Sequence, residues 1–326
     1  MEDRKVILKI EHLCKDFDIK AKSFTGKALK LHALSDISLD IYEGETLGII
    51  GESGCGKSTL GRCLVNLHPI TSGKLVYDGK ELNRLRKKER QALSREIQMV
   101  FQDPYSSLDP RHTAADSVEE PMIVHKTPAT ARERQERTIG LFKEVGLDMQ
   151  HLNRYPHEFS GGQRQRLNIA RAIASNPRVV ICDEPVSALD VSIQAQVINI
   201  LEELQHKFGF TYLFISHDLS MVRHISHQVG VMYLGNLIEY AQVDELYDNM
   251  LHPYTKSLIS AVPVADPNQA RQNKRIVLQG DVPSPIDPPP GCPFRARCAY
   301  AKEICGREKP ELKKINDDHM VACHLY

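Results

Sequence analysis

Alternating apolar and polar positions predict short strands near the N-terminus. Val6–Ile10 and Ile37–Ile41 both alternate in this way, which is typical of strands with one buried face. Thr46–Ile50 is a run of β-prone residues followed by a glycine. Lys74–Tyr77 leads into Asp78-Gly79, a hairpin signal. This part of the chain is therefore expected to be rich in β-strands.

Further along the chain, helical patterns alternate with apolar strands. Residues 113–175 are mostly helical in pattern and stop at Asn176-Pro177. Strands are expected at Val179–Cys182 and Thr211–Ser216, with a helix over Ile193–Phe208 between them. This strand–helix–strand order predicts an α/β fold with a mostly parallel sheet covered by helices.

The composition changes near residue 250. Prolines become frequent there, and four of the eight cysteines fall within the last 35 residues. We therefore expect a core domain at 1–250 and a small Pro/Cys-rich C-terminal domain at 251–326. A chain of 326 residues is long enough for this division, since ordinary domains run to about 100–200 residues.

Charge and hydropathy narrow the function classes. The 42 basic and 42 acidic side chains cancel, which excludes a globally basic nucleic-acid-binding protein but leaves room for a local patch. No stretch approaches the ~18 apolar residues of a membrane-spanning helix, and the charged N-terminus does not fit a signal peptide. We expect a cytosolic protein whose cysteines serve metal binding, catalysis or packing.

A glycine-rich segment forms a candidate phosphate site. Residues 51–59 fit the pattern G-x-x-x-x-G-K-S/T between a predicted strand and a predicted helix. In such a loop, backbone N–H groups and the helix N-terminus surround phosphate oxygens. Lys57 is expected to reach the β- and γ-phosphates, and the Ser58 hydroxyl to bind Mg²⁺. A chance glycine-rich turn is the alternative, which the strand–loop–helix context disfavours.

Two acidic residues follow the apolar run at Val179–Cys182. A buried strand that ends in an acid brings a second carboxylate to Mg²⁺ in phosphate-loop folds, and Asp183 stands at that position. The adjacent Glu184 is placed to polarise a water molecule as a general base. An ordinary strand that ends in a charged turn is the alternative. The presence of the phosphate loop in the same chain disfavours this alternative.

Several short motifs identify a family resemblance. The segment Phe159–Gln163 opens a predicted helix and closely resembles the LSGGQ signature of ATP-binding cassette (ABC) ATPases. Gln102 resembles the Q-loop glutamine, Ser187–Asp190 resembles the D-loop, and His217 resembles the switch histidine. Phe17 stands where this family places an aromatic ring that stacks on adenine. The motifs occur in the family's order.

The resemblance implies a fold and a set of roles. The fold is an ABC-type P-loop fold with a parallel-sheet core, an antiparallel β subdomain and a helical subdomain at about 104–176. The implied catalytic residues are Glu184, His217 and Gln102. The implied Mg²⁺ ligands are Ser58, Gln102 and Asp183. The implied contacts to ATP are Phe17, Gly51, Ser53, Gly54, Cys55, Gly56, Lys57, Ser58 and Thr59. The implied contacts to an ATP held by a partner chain are Ser160, Gly161, Gly162, Gln163 and Asp190.

The C-terminal region carries a second resemblance. His252–Thr255, Asp281–Pro285 and Gly291–Arg295 resemble the C-terminal extension of ATP-binding subunits of oligopeptide and dipeptide ABC transporters. The phosphate loop and the segment Gln102–Pro110 are also similar to that subgroup. The resemblance therefore extends over nearly the whole chain.

The cysteines of this region suggest a metal site. They are Cys292, Cys298, Cys305 and Cys323. None of them forms the C-x₂-C pair of a zinc knuckle, but four thiolates can hold zinc or an iron–sulfur cluster. Arg295, Arg297 and Arg307 lie among them and can offset the negative charge of such a site. Because members of the resembled subgroup hold a 4Fe–4S cluster here, we expect that cluster, with Zn²⁺ or buried free thiols as alternatives.

The remaining cysteines have different expected roles. Cys14, Cys63 and Cys182 lie in apolar stretches and are expected to pack in the core. Cys55 lies in the phosphate loop beside a helix N-terminus, where the pKa of a thiol tends to fall. Alkylation of Cys55 is therefore expected to block nucleotide binding, with protection by ATP. The charged stretch Arg84–Arg90 contains no aromatic residue and is expected to be a solvated helix face rather than a nucleic-acid site.

Together the resemblances imply an ATPase subunit of a peptide-importing ABC transporter. Its expected partners are a second ABC ATPase chain, two polytopic membrane permease subunits and, indirectly, an extracellular or periplasmic peptide-binding protein, with no nucleic acid. This places the chain at the cytoplasmic face of the membrane. The alternatives are import of another small solute such as nickel, a soluble ABC ATPase acting on nucleic acid or ribosomes, and a regulatory module that does not hydrolyse ATP.

Overall fold

The computed structural model describes residues 4–19, 29–128, 130–262, 275–286 and 288–326. These residues form two compact units, each built from separate stretches of the chain. The first unit takes the described residues within Met1–Ile7, Ile41–Thr46 and Lys80–Ser216. The second unit takes the described residues within Leu8–Asp40, Leu47–Gly79 and His217–Tyr326.

Strands and helices alternate along most of the described chain. The strands are β1 Val6–Ile19, β2 Leu29–Tyr42, β3 Thr46–Ile50, β4 Ser72–Tyr77, β5 Lys80–Glu81, β6 Ile97–Val100, β7 Val179–Asp183, β8 Thr211–Ile215, β9 Gln228–Tyr233, β10 Asn236–Gln242, β11 Lys313–Asn316 and β12 His319–Val321. The helices are α1 Lys57–Leu64, α2 Lys87–Glu96, α3 Ala114–His125, α4 Ala131–Glu144, α5 Gly161–Ile173, α6 Val191–Phe208, α7 Leu219–Ile225, α8 Val243–Asp248 and α9 Pro253–Ser260.

The first unit contains a parallel sheet in the order β8-β7-β6. Val180 in β7 pairs with Gln98 in β6 and with Tyr212 in β8. Every residue of β7 and of β8 is buried, which fits continuous apolar runs in a parallel sheet. The predicted parallel-sheet core is confirmed, and helices α3, α4 and α5 occupy the region predicted to be helical.

The second unit contains strands in the order β3-β9-β10-β12-β11. β3 runs parallel to β9, whereas the pairings of β10 with β9, of β10 with β12 and of β12 with β11 are antiparallel. The last strands of the chain thus extend the sheet that begins at β3. A separate sheet in the order β2-β1-β4, with β1 antiparallel to β4, matches the implied antiparallel β subdomain. The division into domains at residue 250 stays a prediction.

The N-terminal strands are longer than the sequence pattern predicted. β1 continues to Ile19 through a register shift between Glu11 and Cys14, where His12 adopts φ +50°. Such a bulge bends a strand without ending it, so the strict alternation that marks a strand is lost while the pairing continues. Helix α1 ends at Leu64, whereas the sequence pattern predicts a helix from Lys57 to Leu67.

Within the described residues, none of the helices combines the length and the apolar character needed to cross a bilayer.

Candidate functional site

The phosphate loop connects β3 to α1, as predicted. Gly51 has φ +151°, and a Cβ at this position would lie 2.2 Å from the carbonyl oxygen of Met232 and 2.8 Å from Sγ of Cys55. Only glycine fits such a close backbone approach. Helix α1 begins at Lys57 with Gly56 as its N-cap. The loop therefore presents the N-terminus of α1, where backbone N–H groups can receive an anion.

Lys57 places a positive charge inside this loop. The side chain is only 5% exposed, and Nζ donates hydrogen bonds to the carbonyl oxygens of Gly51 (2.8 Å) and Glu52 (3.0 Å). Both acceptors are neutral, so an anionic phosphate is a stronger partner for the ammonium group. The arrangement suits the capture of a phosphate group by Lys57.

The predicted lowering of the Cys55 pKa is wrong. The Cys55 side chain is only 4% exposed, and burial raises the pKa of this thiol, although Lys57 opposes the shift. Desolvation disfavours the thiolate more than the nearby positive charge favours it. Cys63 and Cys182 are buried as expected, whereas Cys14 is only half-buried.

We expect Cys55 to react slowly with alkylating reagents, because the reactive thiolate is both buried and disfavoured. Limited treatment of the native protein with N-ethylmaleimide, followed by mass spectrometry of the peptides, measures each cysteine separately. Cys14 serves as the internal comparison, since its side chain is more accessible. Labelling of Cys55 ahead of Cys14 would contradict this expectation.

Two predicted catalytic side chains lie together in the first unit. Nε2 of Gln102 donates a hydrogen bond of 2.7 Å to Oε2 of Glu184. Glu184 has φ +46°, a left-handed conformation that turns the chain sharply at the end of β7. Its backbone N–H also donates to the carbonyl oxygen of Ile215, at 2.9 Å. The amide of Gln102 and this turn orient a half-buried carboxylate, a geometry suited to a general base.

Asp183 is the last residue of β7 and is completely buried. A buried carboxylate is costly unless it is compensated by partners or a cation, and strand ends are where phosphate-loop folds place a magnesium ligand. This burial is consistent with the predicted role of Asp183.

Three other predicted site residues lie at or near the surface. His217 is exposed and follows β8, and Asp190 is the exposed N-cap of α6. Phe17 is half-buried, with the His68 ring at 5.3 Å edge-on and Nζ of Lys15 at 4.5 Å from the ring centre. The adenine-stacking role of Phe17 stays a prediction.

The signature segment forms the exposed start of α5. Ser160 is the N-cap, and its Oγ accepts a hydrogen bond from the N–H of Gln163, while the N–H of Ser160 donates to Oε1 of Gln163. This capping box satisfies two backbone donors. Phe159, the residue before Ser160, is buried: it is 4% exposed and contacts the His151 ring edge-on. Ser160 and Gly161 are exposed.

Replacing Gly162 with alanine is expected to destabilise the protein by about 1–3 kcal/mol, the usual cost of overpacking. A Cβ on Gly162 would lie 2.5 Å from Cγ2 of Ile193, whereas a Cβ on Gly161 would meet only Cδ2 of Leu189 at 3.5 Å. Urea unfolding of the Gly162→Ala and Gly161→Ala variants measures the difference. Equal midpoints for the two variants would contradict this packing argument.

The four cysteines of the C-terminal region are buried or half-buried. The pKa of Cys292 is raised to about 11, chiefly by burial, with smaller contributions from the thiols of Cys305, Cys323 and Cys298. The backbone N–H of Cys292 also donates to the carbonyl oxygen of Cys305, at 2.8 Å. Across the described part of the chain, no three His, Cys, Asp or Glu side chains are arranged to hold a metal ion.

The arginines that lie among these cysteines in the sequence bind carbonyl oxygens and carboxylates. Arg295 donates to the carbonyl oxygens of Pro290 and Gly306. Arg307 pairs with Glu303. Arg297 pairs with Glu52 of the phosphate loop. No sequence pattern indicates the contact between Arg297 and Glu52, because the two residues are 245 positions apart.

Comparison with known proteins places these features in a family. A profile described as ABC transporter matches residues 34–187, and one described as the oligopeptide/dipeptide transporter C-terminal region matches residues 238–305. The chain is 51% identical to the Bacillus subtilis (strain 168) oligopeptide transport ATP-binding protein AppF, covering 99% of this chain and 98% of that protein. It is 47% identical to Escherichia coli (strain K12) OppF, another oligopeptide transport ATP-binding protein, over 99% and 97% of the two chains.

Solved structures agree with the sequence comparison. The dimeric post-hydrolysis structure of the ATP-binding cassette MJ0796 bound to ADP and Pi is 30% identical and has a TM-score of 0.65, covering 72% of this chain and 98% of the other. The structure of cbiO1 from Clostridium perfringens, part of the ABC transporter complex cbiONQ, is 28% identical with a TM-score of 0.64, covering 75% and 91%.

Proposed function

Because this chain belongs to the ATP-binding proteins of oligopeptide and dipeptide ABC transporters, we propose that it hydrolyses ATP to power the import of peptides. The hydrogen bond between Gln102 and Glu184 carries this proposal, since it fixes a candidate base at the end of β7. Peptide is the proposed cargo because the full-length relatives bear the names of oligopeptide transport proteins.

The phosphate loop is proposed to bind ATP. The ammonium group of Lys57 exchanges its carbonyl partners for the β- and γ-phosphates, and the N-terminus of α1 adds backbone N–H donors. The adenine ring is proposed to stack on Phe17. The remaining proposed contacts are Gly51, Ser53, Gly54, Cys55, Gly56, Ser58 and Thr59.

Hydrolysis is proposed to use Glu184 as general base. Gln102 orients the carboxylate, so that it can accept a proton from the attacking water. His217 is proposed to contact the γ-phosphate. Ser58, Gln102 and Asp183 are proposed as Mg²⁺ ligands, because this ion prefers oxygen donors such as hydroxyl, amide and carboxylate oxygens. When bound, the ion neutralises charge on the phosphates.

The signature segment is proposed to act on an ATP held by a partner chain. Ser160, Gly161, Gly162 and Gln163 begin α5 with exposed or half-exposed residues, and a helix N-terminus favours negative charge. Asp190 is proposed to lie at the same interface. Two ABC ATPase chains thus close head to tail around ATP, and we propose a heterodimer with a second, related ATPase subunit.

Exposed apolar residues support docking to membrane subunits. Tyr105, Ile123 and Val124 are 56%, 54% and 53% exposed, and all three lie in the segment that follows Gln102. Exposed apolar side chains mark a protein interaction site where they form one continuous patch. We propose that this segment contacts the permease subunits, which places the chain at the cytoplasmic face of the membrane, and that a peptide-binding protein supplies the cargo from outside.

The four cysteines of the C-terminal region are proposed to hold a 4Fe–4S cluster. Cys292, Cys298, Cys305 and Cys323 match in number the four thiolates that such a cluster binds, and this number, together with the family resemblance, supports the proposal. A region with many prolines and few core residues also benefits from a covalent or metal link. The four cysteines would hold the cluster, which would serve as a structural cross-link of this region.

Metal analysis of anaerobically purified protein tests the cluster. We expect an absorbance band near 400 nm and about four irons and four sulfides per chain. Zinc alone would replace the cluster with a structural zinc site. Four titratable thiols without metal would reject both, and would leave the ATPase assignment unchanged.

Co-purification tests the transport role. The tagged chain is expected to bring down polytopic membrane proteins and a second ABC ATPase from detergent-solubilised membranes. Recovery with ribosomal RNA or DNA instead would favour a soluble ABC ATPase that acts on nucleic acid. Recovery with a permease that transports nickel would keep the ATPase and change the cargo.

A further inference from the structure

Glu52 adds a negative charge to a loop that is proposed to bind a polyanion. It is the second residue of the phosphate loop, and its carbonyl oxygen accepts a hydrogen bond from Nζ of Lys57. No role assigned above uses its side chain. A carboxylate beside the phosphates of ATP would repel them, so an uncompensated Glu52 would weaken nucleotide binding.

Arg297 neutralises this carboxylate. Nη1 of Arg297 donates to Oε2 of Glu52 at 2.8 Å, and Nη2 donates to Oε1 at 3.1 Å. The pairing is bidentate, the geometry in which a guanidinium group binds a carboxylate most strongly. The side chain of Arg297 is only 9% exposed and that of Glu52 is 31% exposed, so solvent screens this pair less than an ordinary surface ion pair.

The backbone of Glu52 is held as well. Its N–H donates a hydrogen bond of 2.8 Å to the hydroxyl oxygen of Tyr254, a side chain that is completely buried. Tyr254 packs against the rings of Tyr233 (4.8 Å) and Phe294 (5.5 Å). The C-terminal region therefore fixes both the main chain and the side chain of one loop residue.

Arg297 is itself rigidly placed. It ends a short 3₁₀ helix at Arg295–Arg297, preceded by Phe294, which is 1% exposed. The guanidinium also lies 6.0 Å from the centre of the Tyr233 ring. Since the side chain is already ordered, little conformational entropy is lost when it holds Glu52.

We propose that Arg297 is a positioning residue for ATP binding, through which the C-terminal region holds Glu52 and thereby keeps the phosphate loop receptive to nucleotide. This inference rests on the proposed ATP-binding function of the loop. Its consequence is that the C-terminal region contributes to nucleotide affinity directly, in addition to any role in binding metal or partners.

Titration with MgATP tests the proposal. Arg297→Gln is expected to raise the Kd and the KM for MgATP about tenfold, because it leaves a carboxylate unpaired beside the phosphates, while kcat changes by less than about twofold. The double variant Glu52→Gln/Arg297→Gln is expected to recover an affinity within about threefold of the wild type, since the unpaired charge is gone.

Arg295→Gln is the matched control. Arg295 lies two positions away and, within the described part of the chain, donates to carbonyl oxygens of its own region, those of Pro290 and Gly306. Its loss should therefore leave MgATP affinity within about twofold of the wild type. If Arg297→Gln does not fold, Arg297→Lys replaces it, with an expected loss of about threefold because one of two bonds remains.

The outcomes separate this inference from the proposed function. Wild-type affinity in Arg297→Gln, or in Arg297→Lys where that variant replaces it, overturns the positioning role alone. A double variant as weak as Arg297→Gln also overturns it, because a purely structural contact would not be rescued by removing Glu52. A wild-type protein that binds no MgATP overturns both.

Discussion

Replacing Glu184 with glutamine is expected to lower kcat for ATP hydrolysis by about a thousandfold, within the range of a lost general base. Glutamine keeps the size of the side chain and can remain near Gln102, but its amide cannot accept a proton from water. The affinity for MgATP should stay within about threefold of the wild type, because the base acts on the water and not on the bound nucleotide.

A second readout follows from slow hydrolysis. With ATP bound and not hydrolysed, the Glu184→Gln protein is expected to accumulate as a closed dimer, which size-exclusion chromatography with MgATP detects. Glu203→Gln is the matched control, since Glu203 lies exposed on α6. Turnover in Glu184→Gln equal to that of the control would reject Glu184 as the base.

Replacing Lys57 with methionine is expected to weaken MgATP binding by about a hundredfold, because a charge-assisted hydrogen bond in a buried site is lost. Methionine has a similar shape and suits a side chain that is 5% exposed, so the fold should be kept. Titration with a fluorescent ATP analogue measures the affinity, and circular dichroism checks the fold.

Lys207→Met provides the control for this substitution. Lys207 forms an exposed pair with Glu144, and such pairs contribute less than about 1 kcal/mol. Its removal should leave nucleotide affinity unchanged. A Lys57→Met protein that binds MgATP as tightly as Lys207→Met would mean that the loop does not hold phosphate in the proposed way.

The sequence predicted the local structure of the segments that carry the candidate site. The phosphate loop, the acids at the end of β7 and the start of α5 each depend on a few consecutive residues, whose turns and caps follow from local chemistry. β3 coincides with the predicted strand Thr46–Ile50. The family, fold and ATPase function inferred from these motifs are confirmed by the comparisons.

Features that depend on distant contacts were not predictable. The pairing of β12 with β10 joins residues near the C-terminus to the sheet of the second unit. The hydrophobic pattern of a strand does not indicate which distant strand it pairs with. The pair formed by Arg297 and Glu52 spans 245 positions. The pKa of Cys55 was misjudged because the helix N-terminus is visible in the sequence, whereas the burial that outweighs it comes from tertiary packing.

ATP-dependent peptide uptake tests the central claim most directly. The chain would be purified with its second ATPase and its membrane subunits and reconstituted in liposomes. The complexes that count are those whose ATPase subunits face the lumen, where MgATP is enclosed, while the peptide-binding protein is added outside. We predict that labelled oligopeptide accumulates inside while ATP is hydrolysed, and that both processes stop with Glu184→Gln. Hydrolysis by the assembled complex without any peptide movement, or uptake that survives Glu184→Gln, would contradict the account.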